Sequence, residues 1–534
     1  MAKKDRVQHG KMGNSAGRII FALLALIGQI GWFWMLALTF LQRYTVPFTI
    51  LASLISLGVA VRMVYRERQS SIKISWLMVI LSFPILGLVS YLLLGRPNAT
   101  KRLLKRFQNI DREILKYHIQ NPQALEELSH EDRLYRNQLE YIRQYAPAEI
   151  HHRTKVTYYG EAVNAWKNQI EDAKKARHYI FIEIHAIEFE GAFEELYQVL
   201  VERARAGVCV RIIYDDIGSG FFINRKFNER CQADGIECRV FNPVKPILNL
   251  FLNNRDHRKI TVIDGVISYT GGYNFANEYF NITHPYGYWK DAGIRMEGGA
   301  SLSLTAMFLE MWNFIKETKE DYSRFHTKIG ESILEGKENS KNVDSLPTDH
   351  FGYVEPYLDN PLDHERVGEN VYLNMINNAK DFIYIMTPYF IISDEMTRAI
   401  SLAAKRGVDV RIITPGIPDK KITYAVTRSY YGGVVSQGAR VYEYTPGFCH
   451  AKLCVVDGIL ATVGTINFDY RSLYHHFENG VLLYRCDAIA DIVKDLEEAM
   501  EVSTEVTQKV QEDLKNRRMT RVSQGLLRLI APML

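Results

Sequence analysis

The sequences DHRKITVIDG (residues 256–265) and CHAKLCVVDG (residues 449–458) carry the same pattern, HxKxxxxD, in two distant parts of the chain. The shared residues are His257, Lys259 and Asp264 in the first copy and His450, Lys452 and Asp457 in the second. The agreement continues downstream, because TGGYNF (270–275) and VGTINF (463–468) place Asn274 and Asn467 each 17 positions after the histidine of their copy. The repeat predicts two similar halves that each contribute one part of a site.

The residue types in the repeat suit phosphate chemistry. Histidine is a nucleophile and a proton carrier near neutral pH, and a lysine ammonium can hold a phosphate oxygen. The apolar residues between each lysine and aspartate predict a buried strand. Side chains two apart on a strand share a face, so His257 and Lys259 emerge together, as do His450 and Lys452. Two such strands would present two imidazoles and two ammonium groups to one phosphoryl group, so that one histidine attacks and the other protonates the leaving alcohol.

The doubled motif resembles that of the phospholipase D superfamily, and within it the bacterial cardiolipin synthases. The resemblance covers nearly the whole chain. Its most specific stretches are HRKITVIDGVISYTGGYNFANEY, YWKDAGIRMEG, MTPYFIISDE, HAKLCVVDGILATVGTINFDYRS and RLIAPML. In that family an acidic residue about thirty positions after each histidine bonds the histidine of the other half. The resemblance therefore implies the pairs Glu478 with His257 and Asp291 with His450, in which the carboxylate fixes the tautomer and stabilises the imidazolium.

Each candidate also has a plainer interpretation. Asp264 and Asp457 precede glycines and could be turn residues, so we expect them to support the fold and the lysine more than to touch substrate. Asn274 and Asn467 could form turns, but their equal offsets favour amide contact with phosphate. Without the resemblance, Asp291 and Glu478 would pass as surface acids.

Spacing argues against metal and thiol chemistry. The adjacent histidines at 151–152 and 475–476 lack the sequence neighbours that a zinc or two-metal site needs, so we predict no metal and no cofactor. The six cysteines form no CxxC pair and are predicted to be reduced, mostly buried thiols of a cytosol-facing domain. Cys449 adjoins His450, but neighbours on a strand face opposite sides, so we do not assign it as a nucleophile.

Length and charge fit a multidomain membrane enzyme. The 534 residues exceed what one core usually holds, and a formal net charge of +4 does not indicate a nucleic-acid binder. Long apolar runs occupy residues 19–41, 46–64 and 74–94, and each is about long enough to cross a hydrocarbon core of roughly 30 Å. The first run follows a basic leader, but it is too long for a signal core, lacks an AxA-like cleavage site and is followed at once by another run.

Basic residues before the first run, between the second and third runs, and after the third run all predict a cytoplasmic location. Three complete crossings would place the basic residues before the first run and those after the third run on opposite sides of the membrane, which contradicts that pattern. One run, such as the third with Pro84 in its middle, is therefore predicted to be re-entrant or interfacial. We expect a multi-pass cell-membrane protein with its catalytic halves on the cytoplasmic side.

The remaining chain predicts an α/β fold: two phospholipase D-like halves with mostly parallel sheets flanked by helices and related by a pseudo-twofold axis, preceded by the membrane-embedded helical region. Matching strands YIFIEI and FIYIM, then VCVRIIY and VDVRIIT, alternate with helical stretches that end at Gly207 and Gly407. The predicted segments are a membrane region with two to three apolar helices (1–98), a helical connector (99–150), a first half (151–330) and a second half (350–534). The linker lies near 326–349. The last helix, basic and apolar, is predicted either to pack on the domain or to touch the membrane.

Site and location together predict an enzyme that acts on phospholipid headgroups, and the resemblance implies a cardiolipin synthase. The resemblance implies that one phosphatidylglycerol donates its phosphatidyl group to the enzyme, glycerol leaves, and a second phosphatidylglycerol accepts the group. We hypothesise a phosphohistidine on His257, although the near-symmetric motifs do not distinguish the two histidines. A phospholipase D-type hydrolase and a phosphatidylserine synthase remain open, because acceptor choice lies in pocket shape. A membrane-bound nuclease or a non-catalytic lipid scaffold is less favoured. Expected partners are phosphatidylglycerol, other anionic phospholipids and the membrane, with no nucleic acid; an oligomer is possible.

Overall fold

The structure is a computed structural model, which describes residues 31, 42–65, 69–92, 101–114, 122–146, 148–220, 222–223, 225–243, 254–318, 320, 322–325, 352–363, 365–516 and 518–533. Residues 99–242 and 254–532 form one compact unit, and residues 1–98 belong to another together with 243–253. The first predicted apolar run and the predicted linker lie outside the described residues, apart from Gly31.

The second apolar run forms a helix that is long enough to span a bilayer. Helix α1 covers Gln42–Tyr65, and its segment Val46–Tyr65 has a mean hydropathy of 1.8 over 20 residues. Most of its large apolar side chains are exposed, as expected of a surface that faces lipid. Within the described residues it is the one helix of sufficient length and apolarity.

The third apolar run is not a single span. It forms α2 (Ser70–Ser82) and α3 (Pro84–Ser90), because Pro84 cannot continue the hydrogen bonding of the preceding helix. The two pieces pack closely: a Cβ at Gly87 would lie 2.3 Å from the Val79 carbonyl oxygen, so only glycine fits there. Trp76 and Tyr91 meet edge to face at 5.5 Å. At about 1.5 Å per residue neither piece crosses a 30 Å core, which agrees with the predicted break at Pro84.

The helices of the second unit surround two sheets. In chain order they are α4 (Lys101–Ile114), α5 (Pro122–Ser129), α6 (Arg133–Tyr145), α7 (Ala162–Lys174), α8 (Ala192–Arg205), α9 (Asp216–Ser219), α10 (Arg225–Ala233), α11 (Ala300–Ile315), α12 (Val367–Asn378), α13 (Asp394–Lys405), α14 (Lys421–Val435), α15 (Tyr470–Tyr474), α16 (Ala488–Glu501), α17 (Thr507–Asn516) and α18 (Arg518–Ile530). Short 3₁₀ turns cover Asn277–Phe280, Tyr322–Phe325 and Ala531–Met533. Helices α4 to α6 fall in the predicted connector.

The strands follow the two halves of the repeat. They are β1 (Thr154–Tyr159), β2 (Tyr179–Ile184), β3 (Cys209–Asp215), β4 (Glu237–Phe241), β5 (Ile260–Ile263), β6 (Ile267–Gly271), β7 (Tyr288–Lys290), β8 (Gly293–Gly298), β9 (Tyr353–Asp359), β10 (Phe382–Met386), β11 (Asp409–Pro415), β12 (Arg440–Tyr444), β13 (Gly447–Cys449), β14 (Leu453–Val456), β15 (Leu460–Gly464), β16 (Glu478–Tyr484) and β17 (Ser503–Glu505).

The two large sheets repeat one topology. The first has the order β1-β8-β6-β5-β2-β3-β4, and the second has β9-β16-β15-β14-β10-β11-β12 with β17 added at the edge. The α/β architecture of two helix-flanked halves is confirmed, but the sheets are mixed rather than mostly parallel. Within these two sheets, among the described residues, only β2-β3-β4 and β10-β11-β12 pair in parallel. The other pairs are antiparallel, in part because Asp-Gly turns with positive φ form the tight β5-β6 and β14-β15 hairpins.

Apolar side chains from strands and covering helices fill the cores. In the first half, Ile180 and Ile182 of β2 and Ile212 of β3 pack with Phe193 and Leu196 of α8. The histidine-bearing segments precede β5 and β14, at the sheet edge where the parallel strands β2 and β10 end. Rigid sheet edges therefore position the candidate site.

Candidate active site

Backbone hydrogen bonds join the two halves directly beside the first histidine. The amide of His257 donates to the Phe477 carbonyl at 2.9 Å, and the amide of Phe477 donates to the Arg255 carbonyl at 2.8 Å. Glu478, the first residue of β16, follows Phe477. The second half therefore delivers a carboxylate to the histidine of the first half.

The same arrangement occurs at the second histidine. Strands β7 and β13 pair in parallel, with Lys290 opposite Cys449. The amide of His450 then donates to the Lys290 carbonyl at 2.7 Å, and Asp291 follows Lys290. The first half thus delivers a carboxylate to the histidine of the second half.

Both crosswise hydrogen bonds implied by the resemblance are present. Nδ1 of His257 lies 2.8 Å from Oε2 of Glu478, and Nδ1 of His450 lies 2.7 Å from Oδ2 of Asp291. All four side chains are buried. A carboxylate at Nδ1 places the imidazole proton there, which leaves the Nε2 lone pair available for chemistry. Burial acts to raise the pKa of Asp291, but His450 and Lys452 outweigh it and the pKa lies below its usual value.

The two lysines differ in their contacts. The Lys259 ammonium donates to the main-chain oxygen of His257 at 2.8 Å. The Lys452 ammonium lies 2.9 Å from Nδ1 and 3.0 Å from Nε2 of His450 and also donates to that residue's main-chain oxygen. Because Nδ1 of His450 carries the proton given to Asp291, Nε2 is the ring nitrogen that can accept from Lys452. The paired ammonium groups make the site strongly attractive to an anionic phosphate.

Burial controls the charge state of these groups. It lowers the pKa of Lys259 to about 8 and that of Lys452 to about 7. Burial, with further contributions from the lysines, also lowers the pKa of both His257 and His450. In the ligand-free site both imidazoles are therefore neutral near pH 7. A bound phosphate anion would oppose the effect of the lysines and help the general acid to gain its proton.

These pKa values predict an alkaline loss of activity. The ammonium form binds the anionic diester, and its population falls as pH rises through the lowered lysine pKa values. We therefore expect kcat/KM to decline between about pH 7 and pH 9. Lys452→Arg, which stays charged throughout, should shift this decline to higher pH even if its maximal rate is lower. The measurement is a pH profile in neutral mixed micelles, which avoid the surface pH of an anionic bilayer. An identical alkaline limb in Lys452→Arg and wild type would contradict the assignment to Lys452.

The two asparagines of the repeat lie in unequal surroundings. The Asn274 amide group donates to the Tyr279 hydroxyl at 2.7 Å, and its oxygen accepts from the Ala186 amide at 3.3 Å. Asn467 is buried, and its side-chain oxygen has no hydrogen-bond partner among the described residues. Contact of these two amides with phosphate stays a prediction. Within the part of the chain that the structure describes, Asn467 makes fewer hydrogen bonds than Asn274 does, so its amide is the more available for such a contact.

The aspartates of the repeat organise the start of a strand. Asp264 accepts from the amides of Arg177, His178 and Tyr179 at 2.7–2.8 Å. Asp457 accepts in the same way from three consecutive amides, those of Lys380, Asp381 and Phe382, at 2.8–2.9 Å. Asp264 directly follows β5 and Asp457 directly follows β14, so each lies at the opposite end of its strand from the histidine. Their contacts support the fold, as expected, but through the backbone that leads into β2 and β10.

Asp457→Asn is therefore expected to destabilise the protein rather than to impair the chemistry. Asparagine tolerates the positive φ at this position, so the substitution isolates the loss of charge-assisted hydrogen bonds, about 2–3 kcal/mol. Thermal unfolding should occur at lower temperature, while kcat per folded molecule is retained. Asp491→Asn, an exposed acid on α16, serves as the control. A large loss of kcat with unchanged thermal unfolding would instead assign a catalytic role to Asp457.

Two further histidines surround His257 and were missed by the sequence reasoning. The His185 and His476 rings lie 5.0 and 5.4 Å from the His257 ring. Nδ1 of His476 lies 3.4 Å from Oε1 of Glu478, and its Nε2 accepts from Arg471 at 3.3 Å. His185 lies next to Asp256 and bonds its carbonyl oxygen at 2.7 Å. No spacing signal could reveal these neighbours, since His185 and His476 are distant in sequence from each other and from the motif they join.

His257, His476 and Glu478 also have ligand atoms within 4.8 Å of one another, a grouping that could hold a metal ion. The sequence near His476 gave no sign of further metal ligands, because His257 comes from the other half of the chain. The two lysines and Arg471 place positive charge close by, which disfavours a divalent cation. We therefore interpret the cluster as a hydrogen-bonded support for His257 and assign no metal.

His450 lies against an aromatic wall rather than against histidines. The rings of Tyr279 and Trp289 lie 5.3 Å from its ring, and Phe448 lies at 5.9 Å. The neighbouring Cys449 is buried, and burial raises the pKa of its thiol, so the nucleophilic thiolate is suppressed. All six cysteines are free thiols. The two half-sites differ chemically, because His257 lies among histidines and His450 lies among aromatic rings.

Fold and site define the class: a phospholipase D-like protein whose halves each give one histidine and one lysine to a shared centre. Residues 169–289 and 372–501 match the family described as cardiolipin synthase, PLD-like domain, and residues 52–96 match the phospholipase D-nuclease N-terminal family. The chain belongs to the cardiolipin synthase family, since relatives of that name align over most of its length.

Three similar proteins illustrate the relationship. A cardiolipin synthase of Geobacillus sp. strain WCH70 is 32% identical over 88% of this chain and 90% of its own. An uncharacterized protein of Streptococcus mutans is 38% identical over 86% of this chain and 96% of its own. The crystal structure of phosphatidylserine synthase from Haemophilus influenzae Rd KW20 has a TM-score of 0.51 at 16% identity and covers 71% of this chain and 95% of that one. This last similarity concerns the fold alone.

Proposed function

We propose that this protein is a membrane-associated cardiolipin synthase that transfers a phosphatidyl group from one phosphatidylglycerol to another. Family membership supports the activity, and the crosswise hydrogen bonds at His257 and His450 support a single site built by both halves. Phospholipids are the substrates, and the proposal involves no nucleic acid and no metal.

In the first step, Nε2 of His257 attacks phosphorus of the donor. A P–N bond forms, the P–O bond to the headgroup glycerol breaks, and His450 gives its proton to the leaving alkoxide. Lys259, Lys452 and the Asn274 and Asn467 amides hold the phosphate oxygens and stabilise the charge of the transition state. Glu478 stabilises the cationic ring of the phosphohistidine.

In the second step, His450 removes the proton from a headgroup hydroxyl of the second phosphatidylglycerol. That oxygen attacks phosphorus, the P–N bond breaks, and cardiolipin leaves with His257 restored. Bonds and protons balance, with one glycerol released per cardiolipin and no external energy source. Buried histidines limit competing attack by water.

The unequal surroundings of the histidines support His257 as the nucleophile. Nε2 of His257 has no hydrogen-bond partner among the described residues, so its lone pair is not engaged. The Lys452 ammonium, in contrast, lies against the His450 ring, 2.9 Å from Nδ1 and 3.0 Å from Nε2. A neighbouring cation weakens the nucleophilicity of the imidazole, so His450 suits proton transfer better than attack on phosphorus.

We further propose that the protein is multi-pass, with both catalytic halves in the cytoplasm. The first apolar run and α1 would cross the membrane, and the helical hairpin α2–α3 would be re-entrant. All three basic segments would then lie on the cytoplasmic side. The segments 1–98, 99–150, 151–330 and 350–534 then serve as membrane region, connector and two halves. The sheets β1–β8 and β9–β17 support the last two boundaries.

The decisive experiment incubates purified, detergent-reconstituted protein with phosphatidylglycerol alone, without added metal. Mass spectrometry should detect cardiolipin and equimolar free glycerol. Phosphatidic acid in place of cardiolipin would identify a hydrolase and overturn the proposal. A lack of turnover here, together with turnover of a different donor or acceptor, would refute this substrate pair while retaining the site.

A further inference from the structure

Half of the large exposed apolar side chains outside the membrane region lie on loops beside the candidate active site. Among the described residues of that part of the chain, ten such side chains are at least 38% exposed, and five of them share this location; they are Phe222, Ile282, Tyr288, Ile417 and Ile422. Scattered exposed apolar residues are normal, but a cluster around a site indicates an interaction surface.

In the first half, the loop after β3 lies against the His257 side of the site. Phe222 is 42% exposed and donates its amide to the Ser219 carbonyl at 2.9 Å. The Ser219 hydroxyl donates to the main-chain oxygen of His185 at 3.2 Å, and the ring of His185 adjoins His257.

In the second half, the equivalent loop follows β11 and lies on the His450 side. Ile417 donates its amide to the Gly447 carbonyl at 3.2 Å, and Gly447 begins the strand that ends beside His450. Ile422 is 60% exposed, and Lys420 and Lys421 between them are exposed as well. The acid between them, Asp419, accepts from the Tyr389 hydroxyl at 2.5 Å and lies 3.7 Å from the Lys420 ammonium, so Lys421 is the more available cation of this loop.

Two further apolar side chains extend the second loop. The Ile417 side chain packs near Gly287, so it adjoins Tyr288. Ile282 follows Asn281, whose side chain bonds both the amide and the carbonyl of Trp289. Tyr288, Ile282 and Ile417 therefore border the segment that carries the aromatic wall of His450.

We propose that these loops dock the catalytic unit onto an anionic phospholipid bilayer, with Phe222, Ile417 and Ile422 entering the interface and the lysines facing lipid phosphates. The inference rests on the proposed function. A diester that reaches the buried His450 while its acyl chains stay in hydrocarbon requires a site opening that touches the bilayer. Apolar side chains beside exposed lysines have the composition that binds an anionic interface.

The test places a nitroxide label on the full-length protein in vesicles of phosphatidylglycerol and phosphatidylcholine. Labels go on single cysteines in Phe222→Cys, Ile417→Cys and Ile422→Cys; four of the native cysteines are buried and the other two partly so. Leu402→Cys is the matched control, since Leu402 is 50% exposed near the end of α13, at the opposite edge of the sheet. Collision rates with oxygen and with a water-soluble nickel chelate are measured.

The loop labels should collide more with oxygen than with nickel, as in lipid, and the Leu402 label should show the reverse. Water-like values at all four positions would overturn the proposal. Dipolar broadening between loop labels would identify a second copy of the chain as the occupant and also overturn it. The same labels in a His450→Ala background should behave identically, so the readout is independent of turnover.

An activity comparison completes the test. Ile417→Asp with Ile422→Asp should lower cardiolipin formation from bilayer phosphatidylglycerol by tenfold or more, since the lost burial of one apolar side chain is by itself worth about tenfold. Turnover of short-chain phosphatidylglycerol dispersed in detergent should stay near wild type, as should Leu402→Asp on either substrate. Wild type that makes no cardiolipin, with labels in lipid, would refute the proposed function alone. Equal loss on both substrates would refute the docking role.

Discussion

His257→Ala is expected to abolish cardiolipin formation, with a loss on the order of 10⁵-fold, because it removes the atom that bonds phosphorus. No phosphatidyl adduct should form on this variant. His450→Ala should lose turnover by a similar factor, but for a different reason: the leaving alkoxide lacks its acid and the incoming hydroxyl lacks its base. The measurement combines product analysis with acid quenching and mass spectrometry of the protein.

The two variants separate the roles. A small, slowly formed adduct in His450→Ala, mapped to the peptide that contains His257, would support the assignment. A covalent adduct on His257→Ala would overturn it and transfer the nucleophilic role to the other half. His476→Asn, which replaces a neighbour that supports His257 through Glu478, controls for general disturbance and should retain the adduct.

Glu478→Gln is expected to lower kcat by about 10³–10⁴-fold with little change in stability. An amide can present its NH₂ group to Nδ1 of His257, which favours the wrong tautomer and removes the charge that stabilises the imidazolium. Asp291→Asn should act in the same way on His450. Because each carboxylate comes from the half that does not carry its histidine, these losses would link the halves functionally. Steady-state kinetics and thermal unfolding together measure the effect.

Glu355→Gln is the matched control for Glu478→Gln. Glu355 is equally buried and lies on β9, the strand paired with β16, but away from the histidines. It should retain nearly full kcat, whereas Glu478→Gln should not. Equal kinetic losses in both variants would mean that disturbance of the paired strands β9 and β16, and not the hydrogen bond to His257, determines the rate.

Local pattern was sufficient for much of the fold. Apolar runs between lysine and aspartate predicted β5 and β14, and the repeated motif predicted two halves with one topology. Pro84 predicted the break between α2 and α3, since proline blocks helical hydrogen bonding whatever its surroundings. Strand direction was harder to predict. The alternation of strands and helices suggested mostly parallel sheets, whereas the Asp-Gly turns form two antiparallel hairpins, β5-β6 and β14-β15, and most of the other pairs are antiparallel as well.

The sequence by itself determined the chemical groups of the site, because the repeat names two histidines and places a lysine two residues after each. The predicted strand face was wrong, since these residues precede β5 and β14. Only the tertiary structure decided their surroundings. His185 and His476 lie around His257, with Arg471 beside His476, and Trp289, Tyr279 and Phe448 lie around His450. The residues in contact are as much as 219 positions apart, as His257 and His476 are. Burial of the lysines, and with it their lowered pKa values, likewise follows from packing of both halves. Such long-range contacts carry no periodic signal along a single chain, and desolvation depends on atoms that only folding brings near.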